Sequence, residues 1–218
     1  MSHNNGRDNH TMTFCRLAPL FALFVASTAL ARPELNTEEL ARLEKGDVLR
    51  YSEKVKGSGV MRGKAVGIVE DAPEAVIYVL LALDKYKHFL PRVTKSRIVK
   101  RKGWHMYAVI HTDLPWPVKD VWTYLKVTRY DKPGRVYEMK WWMLNGTMKQ
   151  YQGSAHVEPW TKDGKRSLLV YQLLAEPQTS APDSVISDGV KAVASTILKR
   201  VRLRLKALRK FKKMPKGL

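Results

Sequence analysis

The stretch DSVISDGVKAVASTILKRVRLRLKALRKF, residues 183 to 211, decides how the rest of the chain is read. It has no proline, and Val190, Val193, Ile197, Val201, Leu205 and Leu208 recur at three- and four-residue steps, which aligns them on one helix face. The reading is one long amphipathic helix near the C-terminus. Residues 191 to 218 carry eleven Lys and Arg and no acid. Cations at a helix C-terminus each stabilise it by about 0.3–1 kcal/mol, which accounts for a few of these but not for eleven.

Working back from that helix, the pattern is one of strands: Val93 to Lys100, Trp104 to Thr112, Arg135 to Leu144, Tyr151 to Glu158 and Ser167 to Leu174. Lys102-Gly103, Asn145-Gly146 and Asp163-Gly164 supply turn chemistry between them and predict hairpins in an antiparallel meander. Val48 to Val69 also reads as strand, interrupted by glycines 57, 59, 63 and 67. The spacing Gly57-x-Gly59-x-x-x-Gly63 is wrong for a dinucleotide loop and no helix follows it, so strand bends or a hairpin are expected. Asn36 caps a short helix from Thr37 to Lys45, and Asp71-Ala72-Pro73-Glu74 opens a buried helix running to Leu83. A brief helix is expected between Pro117 and Leu125. These elements predict an α+β domain in which a curved antiparallel sheet wraps the long C-terminal helix.

The composition sets limits. In 218 residues there are 39 Lys and Arg against 20 Asp and Glu, a formal charge of +19, with 44% hydrophobic residues. Such a chain can bury a core, which excludes wholesale disorder, and one cysteine excludes a disulfide scaffold. The charge predicts attraction to something anionic. Arg16 precedes the apolar run Leu17 to Leu30, and Ala29-Leu30-Ala31 has the small-x-small pattern of a signal-peptidase site. Residues 1–31 therefore read as a signal peptide, with Met12 an alternative start, and the protein as exported to the periplasm or secreted. Loss of that segment, which includes Cys15, leaves +18 and no cysteine. Residues 32–47 then form an N-terminal helical clip, 48–211 the main domain and 212–218 a basic tail.

Three stretches carry a family resemblance: Asp71-Ala72-Pro73-Glu74-Ala75-Val76, Asp84-x-x-x-His88-Phe89-Leu90-Pro91-x-Val93-x-x-Ser96, and Asp113-Leu114-Pro115-Trp116-Pro117-Val118-x-Asp120. Over about residues 48 to 208 the chain resembles the START-like (SRPBCC, polyketide cyclase–START) helix-grip superfamily. The third stretch is similar to the turn that START domains place before their next helix, with Lys119 and Asp120 standing where an arginine-aspartate pair is usual. The resemblance implies a hydrophobic cavity between the sheet and the C-terminal helix.

Alternation supplies the walls of such a cavity. Tyr137, Met139, Trp141 and Met143 share one side of their strand while Glu138 and Lys140 share the other, the pattern of a sheet with one dry and one wet face. Leu169, Tyr171 and Leu173 repeat it, and Val193, Ile197 and Val201 face them from the helix. These side chains either fill a core or line a site for a bulky apolar ligand, for which Met and aromatic walls are suited. The reading adopted is an exported carrier of a lipid or other hydrophobic small molecule, monomeric and without cofactor. The alternative is a polyketide cyclase/dehydratase-like enzyme on the same fold using His105, Tyr107 or His111. His88, His105, His111 and His156 show no metal-ligand spacing, and Glu138 and Asp113 read as lone carboxylates. Asn145-Gly146-Thr147 matches a glycosylation sequon, though its Asn-Gly pair reads first as a turn. Lys206, Arg209, Lys210, Lys212 and Lys213 are expected to dock the protein on an anionic membrane surface, each cation near it contributing on the order of 1 kcal/mol. Nucleic acid is disfavoured as a partner by export and by the lack of aromatics among these lysines other than Phe211. A solvated face, or a binding module acting through its surface charge alone, are the other readings of the cations.

Overall fold

The computed structural model describes residues 34–114 and 120–211. The signal-peptide reading, the prolines at 115 and 117, and Lys212 and Lys213 lie outside the described residues. Within them run α1 (Thr37–Glu44), β1 (Leu49–Glu53), β2 (Arg62–Val69), α2 (Pro73–Leu81), a 3-10 helix (Leu83–His88), β3 (Val93–Lys102), β4 (His105–Thr112), β5 (Val121–Lys132), β6 (Val136–Gly146), β7 (Met148–Pro159), β8 (Ser167–Pro177) and α3 (Asp183–Lys210). The eight strands make one antiparallel sheet in the order β1-β2-β8-β7-β6-β5-β4-β3. From β3 to β8 it is a meander, and β2 closes back onto β8.

The termini of the helices follow from their residues. Asn36 accepts from the Glu39 amide while the Glu39 carboxylate accepts from the Asn36 amide, a reciprocal cap that starts α1. Pro73 occupies the first turn of α2, where its missing N–H costs nothing. Gly103, at φ +55°, turns β3 into β4, and Gly134 followed by Arg135, both at positive φ, turns β5 into β6.

One expected element is corrected. In place of the brief helix before Leu125, the chain is strand from Val121, and β5 is among the sheet's longest strands. Val121-Trp122-Thr123-Tyr124-Leu125-Lys126-Val127-Thr128 is dense in β-branched and aromatic residues, which suit a pleated, half-buried surface.

The glycines of β2 also act differently from expectation. A Cβ at Gly63 would run into the backbone of Val190 and Lys191, and one at Gly67 into Leu198. Rather than bending the strand, they let α3 sit close against it. The buried stripe of α3 is Ser187, Val190, Ala194, Leu198, Val201, Leu205 and Leu208. Val193 is 44% exposed and lies off this stripe, so it is not a cavity residue. Small Ala194 takes the inward position, where close approach matters more than side-chain size.

Candidate functional site

The inner face of the sheet, covered by α2 and α3, gathers most of the nominated residues. Met139, Trp141, Leu169, Tyr171, Leu173 and Val201 are buried together in the main core, and Tyr137, Met143 and Ile197 pack against it half-buried. Register explains the gathering. Val127 lies opposite Trp141, Trp141 opposite Gly153, Gly153 opposite Leu173 and Leu173 opposite Gly63, so one row crosses five strands on one face. The Trp141 and Tyr171 rings pack tilted at 34°, 5.1 Å between centroids.

Two further tyrosines, which sequence reasoning missed, join this interior. Tyr86 of the 3-10 helix donates to the Leu80 carbonyl at 2.5 Å and meets Phe89 edge-on at 5.6 Å. Tyr151 begins the inner-facing row of β7 that continues through Gly153, Ala155 and Val157. Burial pushes all three phenols up: Tyr151 to about 12, Tyr86 and Tyr171 further. Tyr171 also feels Tyr151 and Tyr86, so the three phenols are close neighbours. Among the described residues neither Tyr151 nor Tyr171 has a hydrogen-bond partner for its hydroxyl. The alternation of β7 carried the signal for Tyr151; Tyr86 lies in a short irregular turn and had none.

A polar latch closes one end of this interior. Glu74 of α2 receives Arg135 at 2.8 and 2.6 Å and the Tyr137 hydroxyl at 3.0 Å. The Arg135 guanidinium holds the Glu74 carboxyl down to about 2, and burial followed by the bond to Glu74 raises the Tyr137 phenol. Arg129 lies 5.4 Å over the Tyr137 ring and pairs with Asp131. Tyr137 is therefore held as a bridge between β6 and α2.

The catalytic candidates do not reach the interior. On β4, Met106, Ala108 and Ile110 point into the core, so His105, Tyr107 and His111 lie on the outer face. His105 shares a hydrogen bond of 2.9 Å with Thr128, and Tyr107 faces Tyr124 at 6.2 Å. Glu138 is also corrected. It is buried on the outer face with Lys132 at 2.6 Å and His156 at 3.6 Å, neither lone nor wet. No cluster with metal-ligand character occurs among the described residues.

Of the membrane-contact candidates described, Lys206, Arg209 and Lys210 are all exposed. Arg209 nonetheless commits its guanidinium to the Glu70 carbonyl at 2.9 Å and to Asp71 at 3.4 Å. That makes it a tie between α3 and the β2–α2 connection. Arg202 is a second such tie, donating to the Ile68 and Gly46 carbonyls at 2.8 and 2.7 Å, and its burial lowers the guanidinium pKa. A surface cleft of about 460 Å³ lies between the β1–β2 loop and the start of α3 and is lined by none of the nominated residues.

No protein-family model matches the chain, and a search of curated proteins finds no match. Solved structures do match. A STAR-related lipid transfer protein from Xanthomonas axonopodis superposes with a TM-score of 0.64 at 18% identity, over 73% of this chain and 93% of that one. Human STARD10 gives 0.65 at 14% identity, over 76% and 72% of the two chains. The Zhui aromatase/cyclase from Streptomyces sp. R1128 gives 0.53 at 15% identity, over 67% and 94%. At such identities it is the path of the backbone that is shared. The eight-stranded antiparallel sheet gripping a long C-terminal helix thus has the START-like helix-grip fold.

Proposed function

We propose that this chain is an exported protein that binds and transfers a lipid or other hydrophobic small molecule, held between the sheet and α3. The observation that carries this reading is the cluster of three neighbouring phenols, Tyr86, Tyr151 and Tyr171, in an interior otherwise walled by Leu, Val, Met and Trp side chains. Phenols in such surroundings offer a hydrogen bond to a ligand that has one polar atom on an apolar body. The names of two structural neighbours, both STAR-related lipid transfer proteins, are consistent with such a ligand. The enzymatic alternative loses its three sequence candidates to the outer face.

Docking on anionic membranes through α3 belongs to the same proposal. Its solvent side presents Leu203 and Val193, both exposed, beside Lys199, Arg200, Lys206 and Lys210. Apolar and cationic side chains together on one helix face suit the interfacial layer of a bilayer. Export rests on the Ala29-Leu30-Ala31 pattern, and the expected N-terminus of the exported protein is at or near Arg32.

The test is organic extraction of the purified protein followed by mass spectrometry. A stoichiometric apolar molecule is expected. A folded protein that releases none, and takes up none when offered fatty acids or sterols, is a protein whose interior is core alone.

A further inference from the structure

The outer face of β3–β6 carries a surface that the binding reading does not use. Facing pairs place Lys95 beside His111, Arg97 beside Val109, Lys100 beside Tyr107 and Lys102 beside His105. The rows continue inward through Lys126 opposite Tyr107 and Trp142, and through Thr128 to Lys140. Trp122 and Tyr124 stand on the same face, while Trp104 and Tyr130 are exposed where its strands turn. Within β3–β6 this face holds one carboxylate, Glu138, which is buried and paired with Lys132. Among the described residues, α1 packs on β1 and β2, α2 and α3 cover the inner face, and the 3-10 helix meets β3 through the buried Ser96 rather than through the outward Lys95 and Arg97.

Edge protection explains part of the charge, because lysines on an edge strand such as β3 deter pairing with another sheet. It does not explain Lys126 and Lys140, which lie on the inner strands β5 and β6. Those two ammonium groups sit 5.0 Å over Trp142 and 5.5 Å over Tyr130. Their presence occupies ring faces on which nucleotide bases would otherwise stack. What remains is a field of cations bordered by amphipathic rings, which is the chemistry of an interface with lipid headgroups.

We propose that the outer face of β3–β6 is a docking surface for an anionic lipid layer, separate from α3 and on the other side of the sheet. The protein then presents two cationic faces and bridges two such surfaces at once. Docking by this face stands on the outer-face residues alone, while the bridging rests on the α3 docking proposed above; loss of clustering with anionic binding retained would separate the two.

The test compares the full chain with Lys100, Lys102, Lys126 and Lys140 changed to Gln, using phosphatidylglycerol vesicles and phosphatidylcholine controls at low salt. A second variant, with Lys95, Arg97, Lys100 and Lys102 changed to Gln, leaves both cation–ring pairs intact and guards against misfolding; thermal melts confirm the fold of each. Both variants are expected to bind anionic vesicles at least about tenfold more weakly and to lose the vesicle clustering that the native protein causes. Trp104→Ala, which keeps every charge, is expected to weaken binding severalfold. Unchanged binding and clustering by both charge variants overturns the proposal. So does a preference of the native protein for a single-stranded oligonucleotide over the vesicles that the same substitutions abolish, since the face is then a nucleic-acid surface.

Discussion

Trp141 lies with its indole directly against Gly153, its register partner on the neighbouring strand β7. A Cβ at residue 153 would collide with the indole ring and with the Gln172 carbonyl of β8. The absence of a side chain at 153 makes room for the indole, which packs tilted against Tyr171. Gly153→Ala is therefore expected to destabilise by about 1–3 kcal/mol through overpacking. Urea denaturation checks this: the midpoint should fall with the slope unchanged.

The seat of α3 gives a pair of opposed outcomes. Gly63→Ala forces the helix off β2, because its Cβ meets helix backbone rather than a movable side chain. A loss of about 2 kcal/mol or more is expected. Gly189→Ala sits inside α3 with nothing within 4 Å of the new carbon, so helix propensity gains about 0.8–1 kcal/mol. Melting temperatures should move in opposite directions.

Acid should release the latch between α2 and β6. The Glu74 carboxyl lies near 2 in the folded protein against 4.5 for a free carboxyl, the Arg135 hydrogen bond being the main cause. Its contribution is fully present above pH 4.5 and is lost as the pH falls through about 2. Because the pair is partly solvated, the effect is on the order of 1 kcal/mol. Glu74→Gln should flatten the stability profile between those limits, as read by denaturation at several pH values. A profile parallel to that of the native protein would show that the latch does not couple to folding.

The interior phenols separate ligand binding from packing. Tyr151→Phe and Tyr171→Phe remove hydroxyls that have no partner in the protein, so stability should hold or rise. Affinity for a ligand with a hydroxyl or carbonyl is expected to drop about tenfold, and affinity for a pure hydrocarbon probe should not. Equal affinity across both probes would remove the phenols from the site.

Much of this fold was legible because its signals are local. The reciprocal Asn36–Glu39 cap, the Pro73 start and the glycine turns each depend on residues a few positions apart. The α3 stripe was readable as a period but misplaced at Val193, since hydrophobicity ranks Val above Ala while the close approach to Gly63 and Gly67 favours Ala194. Strand β5 was missed although its residues are strong strand formers, and its long pairing with β4 and β6 joins residues distant in the sequence. Of the candidate site, the alternating walls were visible. The partners of Glu138, Tyr137 and Arg209 were not, since those contacts join residues brought together only by register and helix docking.

The central claim is that the space between sheet and α3 takes up an apolar molecule. Equilibrium titration of the purified protein with an intrinsically fluorescent fatty acid or sterol tests it most directly, with energy transfer from Trp141 as the signal and Trp141→Phe as the control for its origin. Saturable uptake of one molecule per chain is expected, with transfer reduced in the Trp141→Phe variant while uptake persists. A protein that melts cooperatively yet shows no saturable uptake would contradict the account and make this interior a packed core.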